Sequence, residues 1–362
     1  MSEYDVQNTH SEGIRPLECD SHHPIIAAID LGTNSCRLLV ARVNVAGVRT
    51  NYFRSRPKPL AWKVIDSFAK VVRLGEGLHA NNELSDEAMN RAMEALAICR
   101  KKLERYNVHS LRAVATEACR RATNNYVLVE RAKKELDLDI EIIDSEEEAS
   151  LALKGCSAML SPYTPYGVVF DIGGGSTEVI LVKLKKDGKR QPGYAVPFDV
   201  IDSISVPYGV VTTSEEFGGG DDVDGHAKLQ SIILDGLKEF VAKNNILALI
   251  EKNELQVTGS SGTVTTLAAF HLGLAQYERR LVDGMTINYQ DLYVVIDKIL
   301  NMTREERMLQ SNIGFGRVDY VLTGSNILKA ICDALPVKNM RIADRGVREG
   351  ILIDLMLEVI RI

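Results

Sequence analysis

The stretch "VVFDIGGGSTEVILV", residues 168–182, sets three consecutive glycines between two apolar, β-branched runs, with Asp171 just before them and Glu178 just after. Glycine inside a strand pattern marks a tight turn or a close backbone approach. A hairpin turn needs only one or two glycines, so the third, followed by Ser176 and Thr177, asks for another reason. Residues 25–43, "IIAAIDLGTNSCRLLVARV", follow the same plan of apolar run, aspartate, glycine, small polar residues and apolar run. Placing Asp30 on Asp171 brings Gly32 onto Gly173 and Ser35 onto Ser176, with Thr33 and Asn34 where Gly174 and Gly175 stand. The chain carries one device twice.

A turn of this form points several backbone N–H groups at one spot, and glycine lets an anion come close to them. Two facing loops would hold neighbouring phosphates of one chain. Asp30, Asp171 and Glu178 would repel those phosphates unless a divalent cation lay between, and Mg2+ is the usual companion of carboxylate and phosphate oxygens. The competing reading is a pair of structural hairpins with ordinary turn carboxylates; the repetition favours phosphate.

The 362 residues suffice for two domains of ordinary size. A 45% hydrophobic and 25% charged composition is that of a soluble globular protein. A net charge of -6 argues against broad nucleic-acid binding but leaves room for a locally basic groove. The six cysteines form no CxxC pair, which favours reduced thiols in a cytoplasmic protein. No apolar run of membrane-spanning length occurs, and residues 1–23 read as a disordered leader without signal-peptide features.

The periodicity predicts strands at 25–31 and 37–43, with a third around 48–54, while 57–70 gives no clear element. It predicts a helix over 86–106 capped by Ser85, a strand in "LRAVATEA", and a helix in "NNYVLVERAKKELDL". A strand in "IEIID" and a helix in "SEEEASLALKGCSAML" capped by Ser145 follow. Beyond the glycine loop, "LQVTGSSGTVTTLAAFHLG" reads as strand, turn and helix, and "VREGILIDLMLEVI" as a terminal helix. Strands interleaved with helices predict an α/β fold with mixed sheets, as two related domains with a cleft between them. The segment 218–226, "GGGDDVDGH", reads as a surface loop whose aspartates would hold a cation weakly. His109, His226 and His271 lack the spacing of a metal site or triad and are read as structural.

This constellation resembles the exopolyphosphatase and guanosine pentaphosphate phosphatase (Ppx/GppA) family of the actin, sugar kinase and heat-shock ATPase superfamily. "AIDLGTNSCRLLV" and "FDIGGGSTEVIL" are similar to its two phosphate loops; "LGEGL", "RAVATEACRRATN", "IDSEEEASLALKG", "VTGSSGTVTTLAA" and "RVDYVLTGSNIL" follow in family order. The resemblance spans about residues 25–355. It implies two actin-like (ribonuclease H-like) domains at 24–150 and 151–343, with 344–362 packing back on the first, and a cytoplasmic homodimer.

The implied activity is Mg2+-dependent hydrolysis of the terminal phosphate of inorganic polyphosphate, with K+ as a candidate second cation and neither nucleic acid nor membrane as partner. Alternatives are guanosine pentaphosphate hydrolysis, phosphotransfer from polyphosphate to a nucleoside diphosphate, and a phosphate-sensing regulator without turnover. Carried over by position, Glu148 is the general base on the attacking water, although Glu146, Glu147 and Glu148 also suit a helix dipole. The metal carboxylates fall on Asp30, Asp171 and Glu178. Phosphate ligands fall on Gly32, Thr33, Asn34, Ser35 and Arg37, on Arg120, on Gly173, Gly174, Gly175, Ser176 and Thr177, and on Ser261, Gly262 and Thr263. Thr212 stands where the family often has an arginine, so affinity or chain-length preference should differ. Without the extra C-terminal helical domains of long members, processivity should fall.

Overall fold

A computed structural model of the chain describes residues 23–44, 62–185, 197–217, 223–313 and 315–361. Among the described residues, eleven strands form two sheets. The first contains β1 (Ile25–Leu31), β2 (Ser35–Val43), β3 (Trp62–Val71), β4 (Val108–Ala115) and β5 (Ile140–Ile142) in the order β3-β2-β1-β4-β5. The second contains β6 (Tyr166–Ile172), β7 (Thr177–Leu184), β8 (Phe198–Val206), β9 (Leu255–Ser260), β10 (Thr286–Asn288) and β11 (Asn339–Ala343) in the order β10-β11-β9-β6-β7-β8.

The second order, read from its other end, repeats the first. Each sheet has an antiparallel hairpin extended by an antiparallel third strand, and a parallel strand on the hairpin's other side. Parallel neighbours need a crossover, and helices supply it on the sheet faces. The expected mixed α/β architecture with a duplicated plan is therefore present.

Among the described residues eight longer helices pack on the sheets: α1 (Asp86–Leu103), α2 (Asn125–Leu136), α3 (Ser145–Cys156), α4 (Val223–Lys243), α5 (Gly262–His271), α6 (Tyr289–Leu300), α7 (Val321–Ala334) and α8 (Val347–Arg361). Ser85 caps α1 as expected, its hydroxyl accepting from the N–H of Ala88 at 3.2 Å. The cap of α3 is Asp144, one residue before the expected Ser145: its carboxylate accepts from Glu147 N–H at 2.8 Å. Aspartate both accepts the bond and places negative charge at the helix start, so it takes the position from the serine. Of the expected loop 218–226, residues 223–226 instead form the first turn of α4. The expected strand around 48–54, the leader 1–22 and residues 218–222 lie outside the described residues.

Two helices cross between the sheets. Ala149, Leu153 and Cys156 of α3 pack with Val169, Ile180 and Val182 of the second sheet. Ile351, Leu352, Leu355 and Met356 of α8 pack with Ile26, Ala28, Leu39 and Ala41 of the first. At the crossing, a Cβ on Gly350 would stand 2.0 Å from the carbonyl oxygen of Leu151. Only glycine permits that approach. Among the described residues no helix is long and apolar enough to cross a membrane.

Candidate active site

Both hairpins close their tips identically. The N–H of Gly32 donates to the carbonyl of Ser35 at 2.9 Å, and that of Gly173 to the carbonyl of Ser176 at 2.9 Å. Carbonyls of Thr33 and Asn34 in the first loop, and of Gly173, Gly174 and Gly175 in the second, are held from outside by the segment that follows each third strand. After β3, Val72 and Arg73 donate to Asn34 and Gly75 donates to Thr33. After β8, the N–H of Val210 donates to Gly173 at 3.0 Å, that of Val211 to Gly174 at 2.8 Å, and the Thr212 hydroxyl to Gly175 at 3.1 Å.

A trans peptide points its N–H opposite its carbonyl. With these carbonyls fastened outward, the N–H groups of Gly174, Gly175 and Ser176 turn to the other side, where they can receive an anion. Thr212 is buried and belongs to this backing; it does not line the cleft. The two loops meet face to face, since a Cβ on Gly174 would lie 2.8 Å from Cβ of Thr33 and 3.2 Å from N of Asn34. Between them opens a cleft of about 500 Å³.

The carboxylates sit at matched and unmatched positions of the two hairpins. Asp30 pairs across its hairpin with Arg37, and Asp171 pairs across its own with Glu178. Burial pushes the Asp171 carboxyl up to about 7, against the pull of Arg37 and with the push of Glu148 and Asp30. Asp30 is raised by burial in spite of Arg37 and Arg348. Glu178 is 3% exposed and accepts from the hydroxyls of Ser176 at 2.5 Å and Ser205 at 3.0 Å; burial raises it even so. Glu148, in the first turn of α3, is held well above the ordinary carboxylate range by burial and by Glu178, with Arg120 opposing.

Arg120 is engaged by carboxylates. Its Nη1 donates to Glu148 at 2.7 Å and to the carbonyl of Ile143 at 2.9 Å, while Nη2 donates to Glu117 at 2.8 Å. The carboxylates of Glu146 and Glu147 have other surroundings: Glu147 pairs with Arg112 on the surface, leaving Glu148 as the one facing the cleft.

Of the expected residues, Asp30, Gly32 to Ser35, Arg37, Glu148, Asp171, Gly173 to Ser176 and Ser261 to Thr263 all line the cleft. Arg120, Glu178 and Thr177 do not. Thr177 is wholly buried with its hydroxyl donating to the carbonyl of Tyr208, so it offers no side chain to a ligand here. Sequence reasoning missed Glu117, Arg279 and Arg317 on the cleft wall. Arg317 donates to Thr266 at 2.7 Å, and burial together with Arg37 lowers its guanidinium from the ordinary value. "RVDYVLTGSNIL" holds this arginine, but only folding brings it beside α5.

Two sheets of matching order, joined by crossing helices and meeting at a cleft between two glycine loops, define a two-domain actin-like protein. The chain belongs to the Ppx/GppA phosphatase family, whose profile matches residues 55–359. It is 29% identical over 353 residues to the guanosine-5'-triphosphate,3'-diphosphate pyrophosphatase of Photobacterium profundum, covering 94% of this chain and 61% of that protein's length. It is 26% identical over 343 residues to exopolyphosphatase 2 of Mycobacterium tuberculosis, covering 91% of this chain and 98% of that one. The structure of an Aquifex aeolicus Ppx/GppA family member superimposes with a TM-score of 0.69 at 26% identity, covering 93% of this chain and 98% of that one.

Proposed function

We propose that the chain is an exopolyphosphatase, removing the terminal phosphate of inorganic polyphosphate with water activated by Glu148. The observation that carries this reading is the pair of identically closed glycine loops facing each other beside a buried, proton-seeking carboxylate. The loop amides receive successive phosphates, and Arg37 and Arg317 on the wall extend the positive lining toward the chain that follows. Glu148 takes the proton from water as it attacks the terminal phosphorus in line. The amides of the second loop take up charge developing on the phosphoryl oxygens. Arg120 orients Glu148 through its 2.7 Å contact.

The donor set suits Mg2+. Among the described residues no three acidic, His or Cys side chains close around one point tightly enough to hold an ion alone. Mg2+ ordinarily takes one or two carboxylates and completes its shell with water and substrate phosphate. Asp171 and Asp30, raised together by burial on the cleft wall, offer oxygens of that kind; Glu178, directly opposite Asp171 across the hairpin, projects from the same face of the sheet. Bound there, the ion would offset the repulsion between these carboxylates and the phosphates.

Phosphate release from long-chain polyphosphate by purified protein with Mg2+ tests the reading, with guanosine pentaphosphate and a nucleoside diphosphate acceptor as comparison substrates. Release from polyphosphate exceeding that from the pentaphosphate supports it. Binding without release from any substrate would move the protein to a sensing role. The resemblance extends the reading to a cytoplasmic homodimer, which sedimentation of the purified chain checks.

A further inference from the structure

Arg120 sits between two acids of the same cleft and is shared by them. Glu117 and Glu148 flank its guanidinium at 2.8 and 2.7 Å, and the three side chains are only 20%, 14% and 17% exposed for Glu117, Glu148 and Arg120. A guanidinium has five N–H groups. Both on Nη1 are taken, by Glu148 and by the carbonyl of Ile143. A phosphate received in the usual two-pronged fashion would need the remaining edge, formed by Nη2 and Nε. Nη2 already donates to Glu117.

Glu117 is itself on the cleft wall, and its methylenes fill the space beside Gly175 of the second loop, where a Cβ on the glycine would stand 2.4 Å from Cγ of Glu117. It carries negative charge into a site already holding Asp30, Asp171 and Glu148. That arrangement opposes anion binding, and the sharing of Arg120 gives it a definite target.

We infer that Glu117 sets the phosphate affinity of the cleft by competing with substrate for Arg120, a positioning role that rests on the phosphate-binding reading above. In the free protein Glu117 occupies the outer edge of the guanidinium and keeps its inner edge on Glu148. An arriving phosphate displaces Glu117 from Nη2 while Nη1 stays on Glu148, so Arg120 serves ligand and base together. The displaced carboxylate limits how tightly the phosphate, and the phosphate product, are held.

The test is calorimetric titration of the full chain with tripolyphosphate in EDTA, where no turnover or metal enters. Glu117→Gln should bind roughly five- to tenfold more tightly than wild type, the scale of one charge-assisted contact regained. In the Arg120→Gln background the same change should recover little of that gain, because the competitor's target is gone. Equal tightening in both backgrounds would overturn the inference in favour of simple charge removal, and no tightening in either would overturn it outright. If neither wild type nor variants bind, the phosphate-binding reading itself falls, and this inference with it. Glu117→Asp, which retracts the carboxylate by one methylene, repeats the test should the glutamine variant fold poorly, and it too should bind more tightly than wild type.

Discussion

Arg120 donates to Glu148 at 2.7 Å from a helix of five residues to the first turn of another, and of three adjacent glutamates Glu148 is the one that lines the cleft. Glu148→Gln keeps the shape and the bond to Arg120 but cannot take a proton. Turnover should fall by about a hundredfold or more, the scale of a lost general base. Tripolyphosphate affinity should stay within a few-fold. Parallel loss of affinity would mean that Glu148 holds ligand and is not the base.

Arg120 also stabilises the charged form of Glu148, against burial and Glu178. A base works when ionised, so activity should rise with pH through its titration. Arg120→Gln removes the opposing charge, and the rising limb of kcat against pH should move to higher pH. A limb that stays in place would show that Arg120 serves substrate alone.

Thr212 fastens the second glycine loop by donating to Gly175 and accepting from the N–H of Gly209 at 3.2 Å. Thr212→Val keeps the volume but leaves two buried backbone groups without that partner, at about 1–3 kcal/mol. We expect a lower Tm, a raised KM for polyphosphate and faster amide exchange at Val210 and Val211, whose N–H groups donate to Gly173 and Gly174. Thr212→Ser should restore all three. Exchange unchanged in the valine variant would dismiss the hydroxyl as a loop anchor.

Much of this architecture was legible because it rests on local rules. Asp30 and Asp171 before their glycines, the Ser85 cap and the 3.6-residue pattern of α1 are each written in neighbouring residues. β3 escaped because it is an edge strand with both faces partly exposed, so "WKVIDSFAKV" shows no sustained apolar alternation. The backing segments at 72–75 and 209–212 escaped for a different reason: their bonds are made by main chain, which carries no residue signature. Glu117, Arg279 and Arg317 escaped because side chains from distant segments meet at the cleft only after the sheets are formed. Thr212 drew attention as a departure, yet its partner Gly175 is 37 residues away and readable only in the fold.

Asp171, Glu178 and Glu148 share a direction of shift, upward, with Asp171 at about 7. An unfolded aspartate titrates near 3.9. Between those values the folded state holds a proton that the unfolded state has released, so stability is complete below about pH 4 and declines as pH rises through about 7. Carboxylates lowered in the fold, such as Asp66 and Asp202, act oppositely, but their window lies below pH 4. In EDTA the Tm should therefore fall between pH 5 and pH 8. Mg2+ should raise it more at pH 8, where the carboxylates are ionised, than at pH 5. A flat Tm in EDTA would mean that these groups are not the proton-holding sites of the native state.

The helices α3 and α8, which join the two sheets, cross in close backbone contact. Gly350→Ala would place a methyl 2.0 Å from the carbonyl oxygen of Leu151, and that atom is backbone within α3. Neither helix can yield locally, since α3 is packed on the second sheet and α8 on the first. Overpacking of this kind costs about 1–3 kcal/mol, and the backbone partner puts this site at the upper end. The strain bears on α3, which carries Glu148 four residues from its cap. Turnover should therefore fall along with Tm in Gly350→Ala, whereas tripolyphosphate affinity, supported by the loops, should change less. Wild-type stability in the alanine variant, measured by thermal unfolding, would show that the helices separate there more freely than their packing implies.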